Sequence, residues 1–209
     1  MELELQYTEL SCCEAGESVT LTQEETLEAA IPEYCPEVTR IVDAVGQLCL
    51  REYTSRQISG SVLVTVLYTS EEATGLRSLT MSVPFSCVMD DRTLTRCGTV
   101  CAEVRVLLTE ARAVTSRKLY IKVLPEITAV GYRAVKRRLC TGTQEESTIR
   151  TQCRNVELSL LTAISEKGFS FTDDVLLDDG CLPEDLLLHR MCPSISSVQR
   201  LGNKLMIKG

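Results

Sequence analysis

The chain has few of the residues that enzymes use most often for chemistry. Among its 209 residues there is no tryptophan and a single histidine, His189. Triads built on serine or cysteine need a histidine base, and the run "LLLHRM" around His189 is typical of a partly buried surface residue on a short helix. No glycine-rich phosphate-binding loop occurs. We therefore predict that the protein is not an enzyme, and we assign no catalytic residues.

Targeting and membrane segments are also missing from the sequence. Met1 is followed by "ELELQYTEL", which has neither the basic nor the apolar region of a signal peptide. No run approaches the roughly 18 apolar residues that span a bilayer. The formal net charge of −7 argues against a nucleic-acid partner, and the basic run 131–140 fits a solvated linker or strand end. We expect a cytoplasmic protein without membrane insertion.

Cysteine, in contrast, is abundant. The count of 11 is odd, so complete internal pairing is impossible. Without an export signal we expect reduced thiols, with Cys49 and Cys87 acting as small buried apolar residues. Cys97 and Cys101 have no second pair with which to bind zinc. We predict no metal or cofactor, and a cysteine-based metal or redox role stays as an alternative.

Alternation of apolar and polar residues dominates the chain and predicts antiparallel strands. Ser59–Ser70 and Leu76–Ser86 form one expected hairpin, with Gly75 in its turn. Val100–Val114 and Ser116–Val130 form a second antiparallel pair. The fold class is therefore mainly β, an antiparallel sandwich or barrel-like domain. The segment 18–32 is compatible with a strand or a helix.

The stretch "IPEYCPEVTRIVDAV", residues 31–45, interrupts this pattern. Pro36 and Glu37 suit the first turn of a helix, and apolar residues follow at helical spacing up to Val45. We predict a short helix after this Pro-Glu loop, followed by a strand. The order recurs at Pro183 and Glu184, with a helix over 186–188, a strand, the turn "GN" and another strand.

This recurrence indicates an internal repeat. The domain organisation that follows is a first β domain over 1–135, a linker over 136–154 and a partial second repeat over 155–209. An incomplete copy leaves strand edges open, so we expect residues 155–209 to pack onto the first domain or to pair with another chain.

The motifs "IPEYCPEVTRIVDAVGQ", "GSVLVTVLY", "VPFS" and "SRKLYIKV" occur in one order that resembles the SPOCS domain of SipL-type spore coat morphogenesis proteins. The resemblance covers 18–130 and, as the opening of a second copy, 155–209. It implies a non-enzymatic scaffold in the mother cell, at the forespore surface. The implied partners are a morphogenetic ATPase that polymerises there and other coat proteins. The cysteine content and the missing LysM module depart from the family pattern.

The candidate partner-binding loop consists of Pro32, Glu33, Tyr34, Pro36 and Glu37. The simpler interpretation is a joint in which the prolines fix the backbone, but surface loops often carry binding. Two other possibilities remain, self-association through sheet edges and binding of an envelope polymer such as peptidoglycan. The latter would stack sugars on exposed tyrosines, namely Tyr34, Tyr53, Tyr120 or Tyr132.

Overall fold

The computed structural model describes residues 5–54, 57–143, 152, 154–166, 174, 176–177, 180, 182, 186–190 and 193–209. Antiparallel strands make up most of this part of the chain, which confirms the predicted fold class. The elements are β1 (Leu5–Thr22), β2 (Glu25–Ala30), β3 (Arg40–Tyr53), β4 (Gln57–Thr69), β5 (Leu76–Val88), α1 (Arg92–Thr95), β6 (Thr99–Thr115), β7 (Lys118–Thr143), β8 (Ser197–Leu201) and β9 (Lys204–Lys208).

Two sheets form the main domain, and they are not closed into a barrel. In the first sheet β7 is central, with β6 along one edge and β1 and β2 one after the other along the opposite edge. The second sheet has the order β3-β4-β5. The arrangement is sandwich-like. Within the described ranges no helix has the length and apolar character needed to cross a membrane.

The core lies between the sheets and follows the two-residue period of the strands. On β7, Leu119, Ile121 and Val123 are fully buried, whereas Tyr120 and Lys122 are half-buried on the other face. On β4 and β5, alternate residues are likewise buried. They are Ile58, Val62, Val64, Val66, Tyr68, Leu79, Val83, Phe85 and Cys87.

Both predicted strand pairs are present. β4 pairs with β5 across the turn that contains Gly75, whose φ is +82°, and β6 pairs with β7. The segment 18–32 forms strand rather than helix. The "GN" turn also joins β8 and β9 as predicted.

The prediction of a short helix after the Pro-Glu loop is wrong. Residues 36–39 are irregular and β3 begins at Arg40, opposite Thr69 of β4. The apolar spacing resembled a helix because β3 contains a bulge between Ile41 and Asp43, which breaks the alternation. Pairing with β4 decides the conformation of residues whose β-branched side chains favour strands.

Three further expectations need correction. Cys49 is exposed because it lies at a second bulge, between Leu48 and Leu50, whereas Cys87 is buried as predicted. Residues 186–190 are not helical, and His189 is exposed. Residues 136–143, placed in the linker, continue β7. Pro183 and Glu184 lie outside the described residues, and the division into repeats stays a prediction.

Beyond Tyr132, β7 no longer pairs with β6, and among the described residues its one paired strand is β1. The residues 133–143 and their partners in β1 therefore form a two-stranded ribbon that continues past the sandwich. Residues 161–166 contact this ribbon and the main domain. The N–H of Cys13 donates to the carbonyl of Leu161 at 2.6 Å, and Arg51 pairs with Glu166 at 2.6 Å. Residues 161–166 of the predicted second repeat are thus bonded to the first domain, whereas Val156, Leu158 and Leu160 are exposed.

Candidate functional site

Both ends of the Pro-Glu loop, residues 31–39, are bonded to the turn that joins β6 to β7. The N–H of Ile31 donates to the carbonyl of Arg117 at 2.9 Å, and the N–H of Val38 donates to the carbonyl of Ser116 at 2.9 Å. Ile31 and Val38 are themselves buried in the core. The loop is therefore held between two fixed points.

The Arg117 side chain connects the loop to the turn between β4 and β5. Its Nη1 donates to the carbonyl of Cys35 at 2.6 Å and its Nε to Oε1 of Glu37 at 3.0 Å. Its Nη2 lies 3.8 Å from Oε2 of Glu72, and that same oxygen accepts from the N–H of Glu37 at 3.0 Å. Hydrogen bonds from Ser116 and Arg117 lower the pKa of Glu37, so the carboxylate stays ionised at neutral pH.

A third anchor comes from the core. Tyr68 is 1% exposed, and its hydroxyl donates to the carbonyl of Pro36 at 3.4 Å. Burial raises the pKa of the Tyr68 phenol, so the group remains a protonated donor. Anchors from the turn, the neighbouring loop and the core together define the backbone of the Pro-Glu loop.

At the tip of the loop the side chains face solvent. The N–H of Cys35 donates to the carbonyl of Pro32 at 2.9 Å, which closes a turn over Glu33 and Tyr34. Tyr34 is 86% exposed, and Glu33 is also exposed. Pro36 is half-buried. An exposed aromatic side chain on a fixed backbone loses little conformational entropy on binding.

The structure brings the five predicted loop residues together, but it adds three that the sequence did not single out. Arg117, Tyr68 and Glu72 hold the loop from other parts of the chain. Arg117 is 80 residues from Glu37 in sequence, and no local pattern links the two. The one available signal was the short connection between β6 and β7, which places residue 117 at the end of the sandwich where loops collect.

The basic run of β7 lies on the two-stranded ribbon as a strand end, in agreement with the prediction. Arg133 and Arg137 both pair with Glu14 of β1, and Lys136 lies 3.5 Å from Glu9. The hydrogen bond from Arg137 contributes most to lowering the pKa of Glu14. Acidic neighbours thus offset much of the positive charge of this run.

The alternative sites have less geometric support. The guanidinium of Arg112 stands 4.4 Å from the centre of the Tyr120 ring and covers one of its faces, which leaves less of that ring for a sugar. In the part of the chain that the structure describes, no three histidine, cysteine or acidic side chains form a metal-binding group. Burial raises the pKa of the Cys87 thiol, which disfavours the reactive thiolate.

Comparisons of the chain with protein-family models, with curated proteins and with solved structures found no match. The resemblance to the SPOCS domain therefore stays a prediction from the sequence motifs.

Proposed function

We propose that the protein is a non-enzymatic protein–protein interaction module whose contact site is the loop Pro32–Glu37. The observation that carries the proposal is the contrast within this loop between an anchored backbone and an exposed tip. Tyrosine is enriched at the energetic centres of protein interfaces, and Tyr34 is presented without a neighbouring side chain that covers it. Binding would then require little rearrangement of the loop.

The resemblance to SPOCS proteins adds a partner to this proposal. In that setting the module ties coat or envelope components to the ATPase that polymerises on the forespore surface, in the mother-cell cytoplasm. Acidic side chains surround the loop, with Glu33 at the tip and Glu71 and Glu72 in the adjacent turn. A contact surface on the partner that combines an apolar pocket for Tyr34 with positive charge would complement them.

The experiment is a quantitative capture with matched variants. Full-length protein would be immobilised and exposed to lysate of sporulating source cells that is shown to contain the ATPase, and the bound proteins quantified by mass spectrometry. We expect Tyr34→Ala to lower the recovery of the partner by about thirtyfold, the effect of a residue at an interface centre. The matched control is Val88→Ala, at an apolar position that is 67% exposed on β5.

A second variant tests the contribution of the anchored loop backbone separately from that of the Tyr34 side chain. Arg117→Gln keeps Tyr34 but removes the charged bonds to Cys35 and Glu37, so we expect weaker binding than in the wild type and faster hydrogen exchange in residues 32–38. Equal recovery with wild-type and Tyr34→Ala protein would refute the loop as the contact site. Loss of recovery with the Val88→Ala control as well would point to a surface elsewhere.

A further inference from the structure

The β8–β9 hairpin has an apolar face that remains open to solvent. Directly opposed residues of antiparallel strands share one face, and here Val198 lies opposite Ile207 and Arg200 opposite Leu205. Val198, Leu205 and Ile207 are 56%, 68% and 53% exposed. A two-stranded hairpin alone is marginally stable in water, and a third strand or a packed face is normally required.

The hairpin is also cationic within an acidic chain. Residues 193–209 contain Arg200, Lys204 and Lys208 and no acid, although the whole chain has a net charge of −7. Lys204 and Lys208 lie on the face of β9 opposite to Leu205 and Ile207. A strand that runs beside β9 would therefore meet Leu205 and Ile207 on one face and Lys204, Met206 and Lys208 on the other.

The predicted repeat matches this hairpin with β3 and β4 of the first domain, where β4 has a neighbour on both edges. In sequence, "ISG" at 58–60 in β4 corresponds to "IKG" at 207–209, of which Ile207 and Lys208 lie in β9. β4 is paired on its second edge with β5, and Ile58, opposite Cys87, is 1% exposed because it also packs in the core between the two sheets. Among the described residues no third strand pairs with β9 in this way, and Ile207 is exposed.

We propose that the free edge of β9 binds an extended acidic segment of a partner protein, which adds as an antiparallel third strand. Acidic side chains of that segment pair with Lys204 and Lys208, and its alternate apolar side chains cover Leu205 and Ile207. In strand addition the main-chain hydrogen bonds provide affinity and the alternate side chains provide specificity. This surface shares no residue with the Pro32–Glu37 loop, so the two proposals can fail separately.

The test uses the full-length chain and three labelled peptides of about nine residues, a length sufficient for one strand. The first alternates glutamate and valine, the second has the same composition in two blocks, and the third alternates lysine and valine. We expect saturable binding of the first peptide by fluorescence anisotropy. Hydrogen exchange of residues 204–208 should slow in its presence.

A charge reversal supplies the matched variant. Lys204→Glu with Lys208→Glu should weaken binding of the glutamate–valine peptide about tenfold, the effect of losing two exposed ion pairs, and should allow the lysine–valine peptide to bind. Equal binding of the block peptide, or no protection at β9, would overturn the proposal. Absence of peptide binding would also overturn it. If the protein then formed a concentration-dependent dimer protected at residues 204–208, the strand added at β9 would come from a second copy of the chain and not from an acidic partner.

Discussion

A close contact between β3 and β6 leads to a sharp prediction about Gly46. A Cβ added to Gly46 of β3 would lie 2.3 Å from Oγ1 of Thr109 on β6 and 3.1 Å from Cγ1 of Val62. Thr109 sits in the opposite sheet, so the glycine allows the sheets to pack closely. We expect Gly46→Ala to destabilise the protein because both neighbours must move.

The size of the effect follows from two opposing contributions. Overfilling a packed region costs about 1–3 kcal/mol, while alanine restricts the unfolded chain and returns about 0.4–1 kcal/mol. The net loss is therefore about 1–2 kcal/mol. In a chain of this size each kcal/mol lowers the melting temperature by about 2–4 °C, so we expect a decrease of about 2–8 °C.

Thermal unfolding followed by circular dichroism measures this shift, and a second substitution tests its cause. Thr109→Ala removes the atom 2.3 Å away and leaves the Thr109 Cβ at 3.4 Å, so the double variant should cost less than the sum of the single ones by about 1 kcal/mol. Gly98→Ala is the control, since a Cβ there meets nothing within 4 Å. Gly46→Ala at wild-type stability, or strict additivity with Thr109→Ala, would refute the close approach of β3 and β6.

Three other predictions test the remaining parts of the fold. Gly131→Ala should destabilise by about 1–3 kcal/mol in urea unfolding, because its Cβ would lie 2.5 Å from Sγ of Cys97, whereas no loss is expected at the open Gly98. Ile121→Ala, at a fully buried position of β7, should cost about 2–5 kcal/mol in the same assay; a smaller loss would contradict its place in the core. The lowered pKa of Glu37 means that its contribution to stability is complete above its ordinary pKa of 4.5 and is lost as the pH falls below that value. Glu37→Gln should therefore show a shallower loss of stability on acid titration, and an unchanged slope would argue against the bonded carboxylate.

The sequence was sufficient to predict those strands in which apolar and polar residues alternate regularly. β4 and residues 118–131 of β7 bury alternate residues in the core, so their pairing and their faces follow from a period of two. β3 was misread because bulges at Val42 and Cys49 insert an extra residue and shift the register. A bulge is decided by the partner strand, and the local sequence contains no unambiguous sign of it.

The candidate site was predicted only as a segment of chain. The prolines and acids of residues 32–37 indicated a surface loop, and the structure agrees. Its support from Arg117 and Tyr68 depends on contacts between residues that are far apart in sequence. Such contacts exist only after the sheets have assembled, so propensity and spacing could not specify them.

The two-stranded ribbon of β1 and β7 has a mechanical consequence. At about 3.3 Å per residue, residues 133–143 reach some 36 Å beyond the last pairing with β6. Cross-strand ion pairs and the stacking of Arg138 on Tyr7 at 4.6 Å stabilise the pairing of the two strands in this ribbon. The chain that leaves the ribbon at Thr143 is bonded back to it and to the main domain, because the N–H of Cys13 donates to the carbonyl of Leu161 and Arg51 pairs with Glu166. A pull on residues beyond Glu166 would therefore load these two contacts, close to the sandwich, before it reached the far end of the ribbon.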